Sequence, residues 1–173
     1  MSIELRLLEI DDRDFFLDIL KDDWGDFPFL HYFESLANSD FEKYVTILKG
    51  LPAGDNLPAG HVPCTFLFAF DEQGQIVGRV SIRHKLTEDL TKFGGHVGFA
   101  IREKFRRRGY AKEVLSQSLL YIRESLETEE KILVTCDHDN IGSIKIIKSC
   151  GGVLENQVEN TKKGITNRYW ISL

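Results

Sequence analysis

The sequence predicts an α/β domain of about seven strands and four helices. Three observations carry this. Strand-like, helix-spaced and glycine-broken segments follow in the order strand, two helices, three strands, helix, strand, helix, two strands. The stretch 110–126 sets Ala111, Val114, Leu115, Leu119 and Ile122 at helical spacing. The stretch 132–136 is continuously apolar, as in a strand buried on both faces.

Each element has its own signal. Residues 3–10 alternate well enough for a first strand, and Asp11 and Asp12 then open a helix whose first turn favours acids. Phe15, Phe16, Ile19 and Leu20 form its apolar stripe, and Trp24, Gly25 and Pro28 break it. A second helix is expected over 33–51. Two copies of Leu-Pro-Ala-Gly, ending at Gly54 and Gly60, then read as a loop. Aromatic and β-branched residues predict a strand over 62–70, a turn at 71–74 and a returning strand over 75–85. Gly94 and Gly95 introduce a strand over 96–102. After the apolar run, Asp139 or Asn140 caps a helix that ends at Gly151 and Gly152. A hairpin over 153–159 and 165–172 closes the chain. No second domain is expected within 1–173.

The chain has 173 residues, 42% of them hydrophobic, with twelve Phe, which suits a single core rather than disorder. Its formal net charge is -5, so general attraction to nucleic acid or anionic membrane is not expected. The three cysteines form no CxxC pair and read as reduced thiols. No secretion signal or bilayer-length apolar run is apparent, and the expected location is cytoplasmic. No metal site is expected, because Cys136, Asp137 and His138 are adjacent and alternate between faces of a strand.

The segment from Gly95 to Ala111 carries the chemistry. It reads as strand, basic turn, then helix. Backbone N–H groups at a helix start, aided by the helix dipole, form an anion site. Gly109 removes a Cβ from the approach of a pyrophosphate, Ala111 is small, and Arg106, Arg107, Arg108 and Lys112 add local positive charge. A solvated basic turn before a helix is the plain alternative. Neither a P-loop nor a GxGxxG fingerprint is present.

Arg106-Arg107-Arg108-Gly109-Tyr110-Ala111 matches [Q/R]-x-x-G-x-[G/A] and resembles the GNAT acetyltransferase superfamily. The stretch 132–143, followed by Gly151-Gly152, resembles that family's second block, and the element order fits over nearly the whole chain. Within the family, the Gly94-Gly95-His96-Val97-Gly98-Phe99 strand resembles a bacterial group of acetyltransferases. The resemblance implies a GNAT-like central, twisted mixed sheet of about seven strands flanked by four helices, with a splay between the strands at 96–102 and 131–137, and acetyl-coenzyme A as co-substrate. The amides of Arg107 to Lys112, Tyr110 included, would hold the pyrophosphate. The pantetheine arm would pair with the backbone of Phe99, Ala100 and Ile101, as an added strand does. Asn140 and Ser143 would contact the arm, or simply cap a helix.

An alkylamine near pKa 10 must lose a proton before attack. His96 sits where many family members place a base-forming Glu, and is the preferred base. The alternative for His96 is a histidine that bridges strands by hydrogen bonds. Asp137 is a second catalytic candidate, as proton acceptor or cation ligand, or else a loop cap. Arg83 and His84 line the same mouth or lie on the surface. Phe99 is expected to present an oxyanion donor. Many relatives carry a Tyr acid seven residues after the Asn, and this chain has Ile147 there.

The expected activity is acetyl transfer to a primary amine of a small, cationic molecule. The acceptor site would involve Asp22, Asp23, Trp24, Asp26, His31 and Tyr32. Acetylation of a protein terminus or lysine, or acyl-coenzyme A sensing without turnover, are the alternatives. The chain would act as a monomer or homodimer.

Overall fold

A computed structural model describes residues 2–22, 33–126, 130–161 and 164–173. The order is β1 (Ile3–Arg6), α1 (Arg13–Ile19), α2 (Glu34–Ser39), α3 (Phe41–Gly50), β2 (Cys64–Asp71), β3 (Ile76–Arg83), β4 (Val97–Ile101), α4 (Tyr110–Ser125), β5 (Lys131–Asp137), α5 (Ile141–Ser149), β6 (Val153–Asn160) and β7 (Gly164–Ser172). The class and the seven strands are as expected. Among the described residues there are five α-helices rather than four. The expected helix over 33–51 is divided at Asp40, which leaves helical geometry at φ -151°. Its side chain accepts from Lys43 N–H at 3.0 Å and starts α3 afresh.

The sheet divides between β4 and β5, where a splay was expected. Strands run β1-β2-β3-β4 in one antiparallel sheet and β5-β7-β6 in another. On one side, α4 and α5 bury Val80, Ile82, Val97, Val114, Leu115, Ile122 and Val134. On the other, α1 to α3 cover Phe66, Phe68 and Phe70 with Phe16, Phe41 and Tyr44. The Phe16 ring lies 4.9 Å from Tyr44 and meets Phe68 edge-on at 5.7 Å. Each such side chain contributes about 1.5–3 kcal/mol of burial. That burial also pushes the Tyr44 phenol well above its usual range.

Arg102, at the end of β4, is almost fully buried. It donates to Asp18 at 2.9 Å, to Asp22, and to Ile76 O at 3.0 Å. Arg79 on β3 is equally buried and donates to Glu34 at 2.5 Å, anchoring the start of α2.

Candidate active site

Two strand edges face each other across the gap between the sheets. Arg83 N–H donates to His96 O and Arg102 N–H to Val77 O, so even-numbered residues of β4 turn their backbone groups to β3. Val97, Phe99 and Ile101 turn theirs the other way. On β5, His138 N–H donates to Ile165 O and Leu173 N–H to Glu130 O, so Leu133, Thr135 and Asp137 face away from β7. Of the sequence-predicted arm-binding residues, Phe99 and Ile101 therefore present their main chain to the gap. Ala100 pairs with Arg79 instead. Ile101 O already accepts from Arg106 Nε at 3.1 Å.

The edges join at one end. His96 N–H donates to Leu133 O at 2.7 Å, and Leu133 N–H donates to His96 Nδ1 at 3.0 Å. Gly95, at φ +64°, makes this approach possible, since a Cβ there would fall 2.6 Å from Leu133 O. The single π-type turn Leu90–Gly94 is clamped over the same place. Arg83 Nη1 donates to the carbonyls of Gly94 and Gly95, Thr135 Oγ1 to Phe93 O at 2.9 Å, and Arg168 Nε to Thr91 O at 2.9 Å. Sequence reasoning missed this clamp, although the Gly94-Gly95 pair was its visible signal.

His96 is buried, and its Nδ1 lone pair is engaged by an amide that can only donate. A neutral imidazole accepts at one nitrogen and carries its proton on the other. In this arrangement the ring has no lone pair left for a substrate proton. Asp137 lies four residues along β5 from Leu133, about 13 Å at strand rise. It is half-buried, and its carbonyl accepts from Asn140 N–H.

The basic turn is built from left-handed residues, Arg107 at φ +60° and Gly109 at φ +85°. Arg106 N–H donates to Glu103 O, and Lys112 N–H to Gly109 O at 3.1 Å. The Lys112 amide, expected in the anion site, is thus already used. Among the described residues, no backbone carbonyl accepts from the five amides between, those of Arg107, Arg108, Gly109, Tyr110 and Ala111. A Cβ at Gly109 would meet nothing within 4 Å, so the turn opens outward. Arg106, Arg107, Arg108 and Lys112 are exposed, with Arg108 resting 5.7 Å from the Phe105 ring. Tyr110 offers only its amide, because its ring is buried edge-on to Phe105 at 6.1 Å. Open donors, positive side chains and free space fit a diphosphate.

Asn140 caps α5 by accepting from Ser143 N–H at 3.0 Å. Ile147 is buried in the core and supplies no acid. Of the expected acceptor residues, Asp22 is neutralised by Arg102, while Asp23, Trp24, Asp26, His31 and Tyr32 lie outside the described residues. Thr65 Oγ1 meets His84 Nε2 at 2.8 Å, and burial holds the His84 ring below its usual pKa. On the α1–α3 face, a cavity of about 380 Å³ is lined by Cys64, Phe66, Ser81, Arg83, Asp89 and neighbours. Among the described residues, no group of three His, Cys, Asp or Glu is placed to hold a metal. No described helix is long and apolar enough to cross a membrane.

The model of a family described as an acetyltransferase (GNAT) domain matches residues 2–153. The chain belongs to the GNAT acetyltransferase family. The uncharacterised N-acetyltransferase YjdG of Bacillus subtilis is 35% identical over 75 residues, a match spanning 43% of this chain and only 40% of that protein. Among solved structures, a chimera of the Vibrio cholerae spermidine N-acetyltransferase with hSSAT superposes at a TM-score of 0.63, with 19% identity, over 99% of this GNAT chain and 96% of its own. A GNAT acetyltransferase from Bacillus anthracis gives 0.66 and 16%, covering 99% and 95%. A ribosomal-protein alpha-N-acetyltransferase in complex with coenzyme A gives 0.66 and 14%, covering 100% and 95%. At these identities the structures establish a shared fold.

Proposed function

We propose that this chain is an acetyl-coenzyme A-dependent N-acetyltransferase acting on the primary amine of a small molecule. The observation that carries the reading is the run of open amides from Arg107 to Ala111 at the start of α4. They would bind the pyrophosphate, with Arg106, Arg107, Arg108 and Lys112 neutralising its charge. The outward-facing backbone of Phe99 and Ile101 would align the arm along β4, and Phe99 N–H would donate to the carbonyl under attack. Asn140 and Ser143 would border the arm from α5. Bound acetyl-coenzyme A supplies the activated acetyl group.

Asp137 is the carboxylate we assign to hold the ammonium or accept its proton, since His96 is committed to Leu133. Replacing it, Asp137→Asn, is expected to lower kcat/KM at least about tenfold, toward the range of a lost acid–base group. The cavity of about 380 Å³ beside Arg83 falls within the size range of small-molecule sites, though neither Asp137 nor Phe99 lines it. Calorimetric titration with acetyl-coenzyme A, followed by thiol release over an amine panel, tests the reading. Absence of binding removes it. Binding without thiol release for any amine points to a sensor, the second reading, favoured by the burial of Ile147 where relatives place an acid. Acetylation of co-incubated peptides but not of free amines would replace the small acceptor by a protein.

A further inference from the structure

We propose that His96 is a positioning residue: its imidazole stands in for a backbone carbonyl at the junction of the two sheets and so fixes the opening between β4 and β5. In a continuous sheet, Leu133 N–H would donate to a carbonyl of the neighbouring strand. Here it donates to His96 Nδ1 at 3.0 Å, while Leu133 O accepts from His96 N–H at 2.7 Å. One residue thus closes both bonds of a ladder rung, one with its main chain and one with its ring. The remaining main-chain group, His96 O, stays with β3 through Arg83 N–H at 2.8 Å.

This division works only because the chain turns sharply just before it. Gly95 at φ +64° redirects the His96 N–H from β3 toward β5. Arg83, Thr135 and Arg168, from β3, β5 and β7, then hold the carbonyls of Thr91, Phe93, Gly94 and Gly95. Beyond the rung no ladder pairs β4 with β5 among the described residues, and the two strands belong to separate sheets. The rung is therefore the hinge end of the gap. Leu133 is fully buried, so removing the ring leaves its N–H without water as a substitute.

The inference rests on the acetyltransferase reading only where turnover is measured. Asn places its side-chain oxygen as many bonds from Cα as the histidine Nδ1, accepts a hydrogen bond, and does not titrate. The test compares wild type with His96→Leu and His96→Asn by amide exchange at Leu133, using the amides of Val134 and Tyr169 as controls for the β5–β7 ladder. Coenzyme A affinity is measured on all three, and the kcat–pH profile wherever acetyl transfer occurs. His96→Leu is expected to speed exchange at Leu133 about tenfold, in proportion to one unsatisfied buried donor, and to weaken coenzyme A binding. His96→Asn is expected to restore both and to keep the acid limb of the wild-type pH profile. Wild-type protection at Leu133 in His96→Leu overturns the proposal. So does a His96→Asn variant as impaired as His96→Leu, or one whose acid limb has vanished, since a base would behave that way. An inactive wild type would remove the acetyltransferase reading while leaving the exchange and binding comparisons decisive.

Discussion

The turn at residues 106–111 and the turn at residues 90–96 are built from the same materials toward opposite ends. Each precedes a regular element, each contains a left-handed glycine, and each draws in arginines. In the first, five successive amides have no carbonyl partner and the arginines, though Arg106 Nε reaches Ile101 O, remain exposed. In the second, the carbonyls of Thr91, Phe93, Gly94 and Gly95 each receive a side-chain donor, and Gly95 sits against Leu133. In our proposal, unfilled hydrogen-bonding capacity marks the place prepared for a ligand. Filled capacity marks the place that fixes the geometry around it.

The largest expected effect comes from putting a charge into the open turn. Gly109→Glu should weaken acetyl-coenzyme A binding more than about a hundredfold in calorimetry, because a carboxylate replaces the space meant for an anion. Retained affinity there would erase the contrast. Alanine at the two glycines sharpens it through stability. Gly95→Ala should cost about 2–3 kcal/mol in denaturant unfolding, since the new Cβ would stand 2.6 Å from a fixed carbonyl. Gly109→Ala meets open space and should cost about 1–2 kcal/mol, the left-handed strain alone. Equal costs would mean that the clamped turn yields as easily as the open one.

A smaller effect concerns acid. Burial alone would raise the Asp12 carboxyl, but bonds from Arg6 and from Glu9 N–H outweigh it and hold it below its usual value. The bond from Arg102 holds Asp18 low as well, against a weaker opposing effect of burial. Groups depressed in the folded state stabilise it above the ordinary carboxylate range and lose that contribution as pH falls through their folded values. Denaturant midpoints should thus fall below about pH 4, and Asp12→Asn should flatten that limb. Smallest of all, burial raises the Cys64 and Cys136 thiols to about 11. Both should alkylate slowly at pH 8 until the protein unfolds, as followed by mass spectrometry.

What the sequence made legible depended on whether a signal was local. The helix from Tyr110 was readable from its spacing, and its start from Gly109, because an open turn before a helix is a property of adjacent residues. The buried strand at 131–137 was readable from apolar content alone. The division of the sheet was legible only through the family resemblance, and the contact that makes it, His96 with Leu133 thirty-seven residues away, was not. Asp40 was a hidden helix start because its cap lies within an otherwise unbroken helical pattern. Asp22 looked like a ligand for a cation, and Arg102, eighty residues distant, had already become that cation.

Ile147 touches Gly152 so closely that a methyl group on the glycine would fall 2.5 Å from its Cγ2. An engineer who tried to graft a phenol onto this α5 position would find no room for the ring without prising the helix from the strand that follows. A new proton donor for this scaffold would have to arrive from another wall of the cleft, or with the acceptor molecule itself.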